Sequence, residues 1–232
     1  MAAADPHPVL GTSVIAIDGP AASGKSTVAR ALASRLGYRF LNSGDLYRAM
    51  TWHCLHNGVD CQDFGAVASA AGQARVEIGC DGGDYYPLID GGDPRAHLRS
   101  EAINSNVSPV SAVPAVRYIL SAAIRAHAQG RRTVVEGRDI GSAVFPETPY
   151  KFYIDAPPQV RQRRRRNQGQ IEEIARRDLI DSTRSTDPLT IAPGATVIDS
   201  STLDIQGVVA AMLDKLAGQG LGSALAACSS NG

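Results

Sequence analysis

The chain has 232 residues, of which 44% are hydrophobic, and its 23 basic side chains balance 23 acidic ones to a formal net charge of zero. That length suits one sizeable α/β domain with an insertion, and the apolar content excludes a largely disordered chain. Zero net charge argues against a dedicated nucleic-acid-binding protein, which needs a net basic surface, but it leaves room for a local basic cleft.

Neither the cysteines nor the chain start indicates a metal site or a targeting signal. The four cysteines form no CxxC pair, and no histidine lies at zinc-ligand spacing from them, so we expect reduced, structural thiols. Residues 1–8 lack the basic start and apolar core of a signal peptide, and no apolar run approaches bilayer length. We therefore expect a cytoplasmic protein without membrane contact, with disordered tails at 1–8 and 218–232.

Apolar runs and helical periodicities alternate along the chain. In chain order they predict a strand over 13–18, a helix over 24–36, a strand over 38–41, a helix over 45–56, a helix over 113–128, strands over 133–136 and 151–155, helices over 160–167 and 171–182, a strand over 195–199 and a helix over 203–216. This order predicts a three-layer α/β/α fold around a five-stranded parallel sheet.

Residues 60–107 differ in character from the rest. Two β-like runs, 75–79 and 85–90, flank the turn residues Asp81-Gly82-Gly83-Asp84, which predicts a hairpin with a longer loop. We interpret this block as an inserted subdomain with a small sheet of its own. The core domain would then comprise 9–59 and 108–217.

The segment 19–26 matches the phosphate-binding pattern G-x-x-x-x-G-K-S/T, between a predicted strand and a predicted helix. Backbone N–H groups of such a loop point at phosphates, and the helix N-terminus adds its positive dipole. The lysine supplies a charge at the β- and γ-phosphates, and the serine supplies a hydroxyl ligand for Mg²⁺. The predicted ATP-binding residues are Gly19, Pro20, Ala21, Ala22, Ser23, Gly24, Lys25, Ser26 and Thr27, with Ser26 as the metal ligand.

The rest of the chain narrows the class of P-loop protein. It contains neither an NKxD-type base-recognition motif of GTPases nor the Gly-rich signature of ABC-type ATPases. A small-molecule kinase is therefore the leading hypothesis. Another P-loop kinase, for uridylate, a deoxynucleotide or a non-nucleotide metabolite, is one alternative; a nucleotide-dependent RNA-binding protein is the other.

Three further blocks carry candidate acceptor ligands. Ser43 and Arg48 follow one predicted strand, and the run 136–139 follows another; open α/β sheets bind ligands at this edge. In the run Arg177–Arg184, the outer charges and Asp181 are spaced i, i+4 and i+7, so they share a helix face. These residues could bind phosphate through arginines, and a sugar or base through carboxylates.

Together these blocks resemble the bacterial cytidylate kinases, which are nucleoside monophosphate kinases. The resemblance rests on IDGPAASGKST, LNSGDLYRA, VVEGRDIGSAVFP and RRDLIDSTRSTDPL, and it extends from about 14 to 216. The insertion at 60–107 resembles the enlarged NMP-binding subdomain of that family. The resemblance implies ATP- and Mg²⁺-dependent phosphorylation of CMP and dCMP by a monomer in pyrimidine nucleotide metabolism.

The resemblance also implies residue roles. It places Ser43, Ser108, Arg117 and Asp139 at the cytosine, Arg48, Arg138 and Arg184 at the acceptor phosphate, Asp181 at the ribose, and the catalytic Arg177 beside the transferred phosphoryl group. The chemistry is consistent, because the Asp139 carboxylate can accept a hydrogen bond from the cytosine amine, whereas uracil would present a carbonyl. Such a mismatch in a buried site costs a few kcal/mol, on the order of 1–3.

The run 161–166, with five arginines, is the densest cluster of charge. As a short lid over about 161–170, its arginines would neutralise the transferred phosphate; we expect Arg161 and Arg164 to face the site as catalytic residues. A solvated helix face is the simpler alternative. Nucleic-acid binding is a further one, but no aromatic residues interleave with the arginines.

Overall fold

The structure is a computed structural model that describes residues 14–167 and 174–221, except for the side chains of 174–177. Its strands are β1 (Val14–Asp18), β2 (Arg39–Asn42), β3 (Val76–Asp81), β4 (Asp84–Ile89), β5 (Thr133–Glu136), β6 (Lys151–Asp155) and β7 (Thr196–Asp199). Its helices are α1 (Lys25–Leu36), α2 (Ser43–His56), α3 (Phe64–Gln73), α4 (Glu101–Ala112), α5 (Pro114–Ala128), α6 (Pro158–Asn167), α7 (Ile174–Thr183) and α8 (Ile205–Gly218), with one π-helical turn at Ile140–Val144.

All five predicted strands are present and parallel, as β2, β5, β1, β6 and β7. The sheet described has seven strands, because β4 pairs in parallel with β2, and β3 pairs antiparallel with β4. The expectation that the hairpin forms a separate sheet is therefore wrong. Pairing with β4 satisfies backbone groups of β2 that would otherwise lie at a sheet edge, and the amide of Phe40 also donates to the carbonyl of Gly83 (3.1 Å).

The sequence patterns did not predict α3 and α4. Helix α3 is built mainly from alanine and glycine, and its N-cap is Asp63, whose side chain accepts hydrogen bonds from two backbone amides. Helix α4 contains Pro109, and Ser100 caps its N-terminus. An interior proline and small residues weaken the helical pattern, so the caps are the stronger sequence signal for both helices.

Two apolar clusters lie on opposite faces of the sheet. Along β1, Val14 and Ala16 belong to the cluster packed by α2–α5, whereas Ile15 and Ile17 belong to the cluster packed by α1 and α8. This alternation follows from the two-residue period of a strand, and a parallel sheet is normally covered on both faces. The fold extends past residue 217, the predicted end of the core domain, because Leu221 is buried in the second cluster.

The inserted block shares the first of these clusters. Val67 of α3 and Val107 of α4 pack in the same core as Leu46 of α2 and Leu120 of α5. Residues 60–107 are therefore joined to the rest of the fold by both a common sheet and a common core.

The topology brings the candidate motifs to one edge. Strands β1, β5 and β2 are neighbours and parallel, so the loops after Asp18, Asn42 and Glu136 lie at the same carboxyl edge, where open α/β sheets bind ligands. Among the helices described, none is long and apolar enough to cross a membrane alone; α4 and α5 meet that criterion only jointly, across a 94° bend.

Candidate active site

The P-loop joins β1 to α1 through two glycines with positive φ. Gly19 has a φ of 150°, and a Cβ added there would lie 2.1 Å from the carbonyl oxygen of Ile154. Gly24, at φ 91°, occupies the N-cap of α1. Left-handed backbone and close approach to a neighbouring strand both favour glycine. The loop thus ends at the helix N-terminus, a site suited to phosphate.

Lys25 and Ser26 meet a carboxylate at the end of β5. The Ser26 hydroxyl donates to Oε1 of Glu136 (2.6 Å), and Nζ of Lys25 lies 3.8 Å from Oε2 while donating to the carbonyl of Pro20 (3.2 Å). Glu136 is only 2% exposed. Glu136 belongs to the run 136–139 that the sequence analysis names, but no role is predicted for it there.

The hydroxyl of Ser26 and the carboxylate of Glu136 are hard oxygen donors, which suit Mg²⁺. The described residues contain no group of three or more His, Cys, Asp or Glu side chains that could hold a metal ion.

One cavity of about 480 Å³ connects the P-loop to the acceptor-side motifs. Most of the predicted site residues line it: Ala21, Ala22, Ser23, Gly24, Lys25, Ser26, Thr27, Ser43, Arg48, Ser108, Arg138, Asp139, Arg164, Asp181 and Arg184. Gly19, Pro20, Arg117 and Arg161 are not among the described residues that line it. The side chain of Arg177 lies outside the described residues.

Asp139 lies between two buried arginines at the cavity wall. Its Oδ2 contacts NH2 of Arg117, and its Oδ1 lies 3.4 Å from NH2 of Arg184. Burial raises the pKa of the Asp139 carboxyl, while the positive charges of Arg117 and Arg184 oppose that rise. Arg117 is 1% exposed and lies behind Asp139 rather than at the cavity surface.

Arg138 connects the acceptor side to the P-loop. Its Nε lies 3.0 Å from Oδ2 of Asp181, and its NH1 donates to the carbonyl of Gly19 (3.0 Å). Asp181 also lies 3.8 Å from NH1 of Arg184, so these two side chains share a face, as their spacing predicts. The charges of Arg138 and Arg184 are therefore balanced by the carboxylate of Asp181 in the cavity wall.

Arg48 and the two serines lie on the α2–α4 side of the cavity. NH1 of Arg48 donates to the carbonyl of Leu98 (3.1 Å) and to Oδ1 of Asn104 (2.6 Å). Ser43 is buried at the first turn of α2, and Ser108 lies on α4. Residues of the inserted block thus hold an arginine of the core domain in place.

The two arginines predicted to face the phosphates differ in position. Arg161 is buried, donates to the carbonyls of Ala156 (2.9 Å) and Ala21 (3.2 Å), and pairs with Asp178. It supports the P-loop main chain and lies apart from the described cavity lining, because Asp178 and these carbonyls take its guanidinium. These contacts also exclude a solvated helix face for Arg161.

Arg164 donates to the carbonyl of Ser23 (3.0 Å) and to both the hydroxyl and the carbonyl of Ser200 (3.0 and 2.6 Å). It lines the cavity, and so does Arg165. Arg164 therefore fixes the P-loop against the loop after β7 from a position in the cavity wall.

Sequence reasoning missed several other residues of this site. Asp178 accepts a hydrogen bond from the amide of Ala21 (3.2 Å), and Ser200 donates to the carbonyl of Ser23 (2.7 Å). Asp178 belongs to the run Arg177–Arg184, in which the sequence predicts roles only for Arg177, Asp181 and Arg184. Apolar side chains after Ser200 also line the cavity: Leu203, Ile205 and Val208.

Comparisons with known proteins identify the family of this chain. Residues 15–217 match the family model described as cytidylate kinase. The chain is 42% identical to the cytidylate kinase of Rhodococcus jostii over 86% of its own length and 93% of that protein. It is 40% identical to that of Mycobacterium leprae over 87% and 94%, and 39% identical to that of Geobacillus thermodenitrificans over 86% and 94%. The chain therefore belongs to the cytidylate kinase family.

Proposed function

We propose that the protein transfers the γ-phosphate of ATP to CMP and dCMP, giving ADP and the cytidine diphosphates. The observation that carries the proposal is the single cavity shared by the P-loop and the Asp139–Arg184 side. A donor bound at Lys25 would meet an acceptor bound at Arg138 and Arg184 without leaving this cavity. The family to which the chain belongs supports the same reaction.

The acceptor side suits a cytidine monophosphate. Asp139 can accept a hydrogen bond from the base amine, Ser43 and Ser108 line the same cavity, and Arg117 lies behind the carboxylate. The acceptor phosphate would be bound by Arg48, Arg138 and Arg184, and the ribose by Asp181. A bound phosphate would replace Asp181 as the partner of the arginines, since charge-assisted pairs with phosphate are strong.

The donor side suits ATP with Mg²⁺. Ser26 and Glu136 would hold the cation, which when bound neutralises charge on the β- and γ-phosphates. Lys25 supplies positive charge at the transferred group, and Arg164 holds the loop that surrounds it. The apolar side chains of Leu203 and Ile205, which line the cavity, offer a surface for the purine base.

The chain's own residues need to orient and neutralise rather than take a proton. The phosphate of CMP is already an anionic nucleophile, so the mechanism has no general base; phosphoryl transfer depends mainly on positioning and charge. We assign Arg177 to the transferred phosphoryl group by resemblance. The resemblance implies a lid over about 161–170, of which 168–170 lie outside the described residues. Closure of this lid and of the block 60–107 over the substrates would exclude water, the competing acceptor.

The proposal extends to the setting of the enzyme. It acts as a monomer on small molecules in the cytoplasm, where both nucleotides are available, and it contacts neither nucleic acid nor membrane. The RNA-binding alternative needs the arginines of α6 on an open surface. The engagement of Arg161 and Arg164 with the P-loop main chain favours the kinase instead.

The test is a coupled assay of ADP release with ATP–Mg²⁺ and CMP, dCMP, UMP, AMP or GMP. We expect rapid turnover with CMP and dCMP and weak turnover with UMP. ATP alone is the control for hydrolysis. If no monophosphate raises ADP release above that control, the acceptor assignment is wrong, and a steeply salt-dependent affinity for RNA would then support the alternative.

A further inference from the structure

Asp187, four residues beyond the end of α7, has an unusual backbone conformation. Its φ is +47°, a left-handed conformation that non-glycine residues rarely adopt. Among the described residues, only Ala22 of the P-loop and Asp90 share this feature without being glycine. Strained backbone of this kind persists where surrounding contacts hold it, so the contacts of Asp187 are informative.

Asp187 contacts two arginines of the acceptor side at once. Its carboxylate Oδ2 accepts from Nε of Arg117 (2.9 Å), and its main-chain carbonyl accepts from Nε of Arg184 (2.7 Å). The side chain of Asp187 is 32% exposed, and the residue is not among those described as lining the cavity. It therefore acts on a ligand only through its neighbours.

Both arginines direct a terminal nitrogen at the same carboxylate. NH2 of Arg117 contacts Oδ2 of Asp139, and NH2 of Arg184 lies 3.4 Å from Oδ1. Asp187 thus holds the Nε atoms of two guanidiniums whose NH2 atoms lie on the two oxygens of Asp139. Because a guanidinium is a planar, rigid group, fixing Nε also fixes the direction of NH2.

Both arginines carry their charge in buried surroundings, which is costly unless the charge is paired. The side chains of Arg117 and Arg184 are only 1% and 5% exposed, and buried charges need paired, hydrogen-bonded partners. Arg117 meets this need through Asp187, Asp139 and the carbonyl of Ser111 (3.2 Å). Removing the Asp187 carboxylate would let Arg117 rotate, and the orientation of Asp139 would be lost with it.

We propose that Asp187 is a positioning residue for base selection, which orients Arg117 and Arg184 so that they present the Asp139 carboxylate to the amino group of a pyrimidine. The inference rests on the proposed function, since it concerns the choice between cytosine and uracil at the same site. It adds to that function a residue outside the cavity that determines specificity.

Two substitutions separate this role from a purely structural one. Asp187→Gly removes the carboxylate but keeps the carbonyl and tolerates the left-handed backbone. Asp187→Asn keeps an oxygen acceptor of the same reach without the charge. Asp90→Gly is the matched control: Asp90 also has a positive φ (52°), but it is exposed and accepts from the amide of Arg75.

We measure kcat and KM for CMP, UMP and ATP in each variant. Loss of a charge-assisted hydrogen bond to a buried group predicts that Asp187→Gly lowers the CMP-to-UMP ratio of kcat/KM by about 10- to 100-fold. The change should arise mainly from KM for CMP, with KM for ATP unchanged. Asp187→Asn should give an intermediate ratio, and Asp90→Gly should match the wild type.

A merely structural role would lower turnover of CMP and UMP equally and leave their ratio unchanged, which would overturn the proposal. If Asp187→Gly does not fold, Asp187→Asn decides, since a wild-type ratio in that variant contradicts the proposal as well. Failure of the proposed function looks different. In that case the wild-type protein itself shows no preference for CMP.

Discussion

Replacing Asp139 with asparagine tests the basis of base selection. The substitution keeps the shape of a side chain that is 3% exposed and exchanges one acceptor oxygen for an amide donor. In the wild type, the carbonyl of uracil would face a carboxylate oxygen, and neither group could donate. An unsatisfied buried polar pair of this kind costs about 1–3 kcal/mol, and more when one member is charged.

That cost corresponds to a discrimination of about 5- to 150-fold between CMP and UMP. The amide of Asp139→Asn can donate to uracil, so we expect the CMP-to-UMP ratio of kcat/KM to fall by about 10- to 100-fold. The absolute kcat/KM for CMP should fall too, because Arg117 and Arg184 lose a charged partner.

The assay compares initial rates over a range of CMP and UMP concentrations at saturating ATP–Mg²⁺. The KM for ATP and the urea midpoint serve as controls for damage to the P-loop side and to the fold. A CMP-to-UMP ratio in Asp139→Asn within about twofold of the wild type would refute the assignment of Asp139 to the base, whatever happens to the absolute rate.

The remaining predictions concern the P-loop and the core. Lys25→Ala should lose about a thousandfold or more in kcat while its urea midpoint stays near wild type; near-normal turnover would remove Lys25 from the mechanism. Gly19→Ala should destabilise the fold by at least about 3 kcal/mol, because its Cβ would lie 2.1 Å from the carbonyl of Ile154. Gly37→Ala, at φ +65° with no atom within 4 Å of the added Cβ, should cost only about 1 kcal/mol in the same urea titration; equal losses would contradict the steric argument. Burial lowers the pKa of His127 from 6.5 to about 4, so the unfolded chain binds the proton first, and the free energy of unfolding should fall as pH drops from about 6.5 to 4. His127→Gln should reduce this loss of unfolding free energy at low pH. An unchanged pH dependence in the variant would show that His127 is not its cause.

Much of the site could be predicted from the sequence because its chemistry is local. The P-loop needs glycines, a lysine and a serine at fixed spacing between a strand and a helix, and the structure has β1 and α1 at those places. The five parallel strands were predictable for a similar reason, since each is a short apolar run that ends in polar loop residues.

The features that were missed depend on distant partners. The hairpin joins the main sheet because β4 finds a free edge of β2, which no local pattern reveals. Glu136 gains a role only when Ser26, 110 residues earlier, lies 2.6 Å away. Arg161 turns toward Asp178 and the carbonyl of Ala21 rather than toward the cavity, and charge density alone could not separate it from Arg164.

We propose that one cavity brings a donor phosphate and a CMP acceptor together. The most direct measurement follows the label from ATP carrying a radioactive γ-phosphate, with and without CMP, in the wild-type protein and in Lys25→Ala. We predict that the wild type places the label in CDP, that inorganic phosphate stays at background, and that the variant transfers almost none. Label released as inorganic phosphate at the same rate with or without CMP would contradict the account, because the protein would then be an ATPase with no acceptor site.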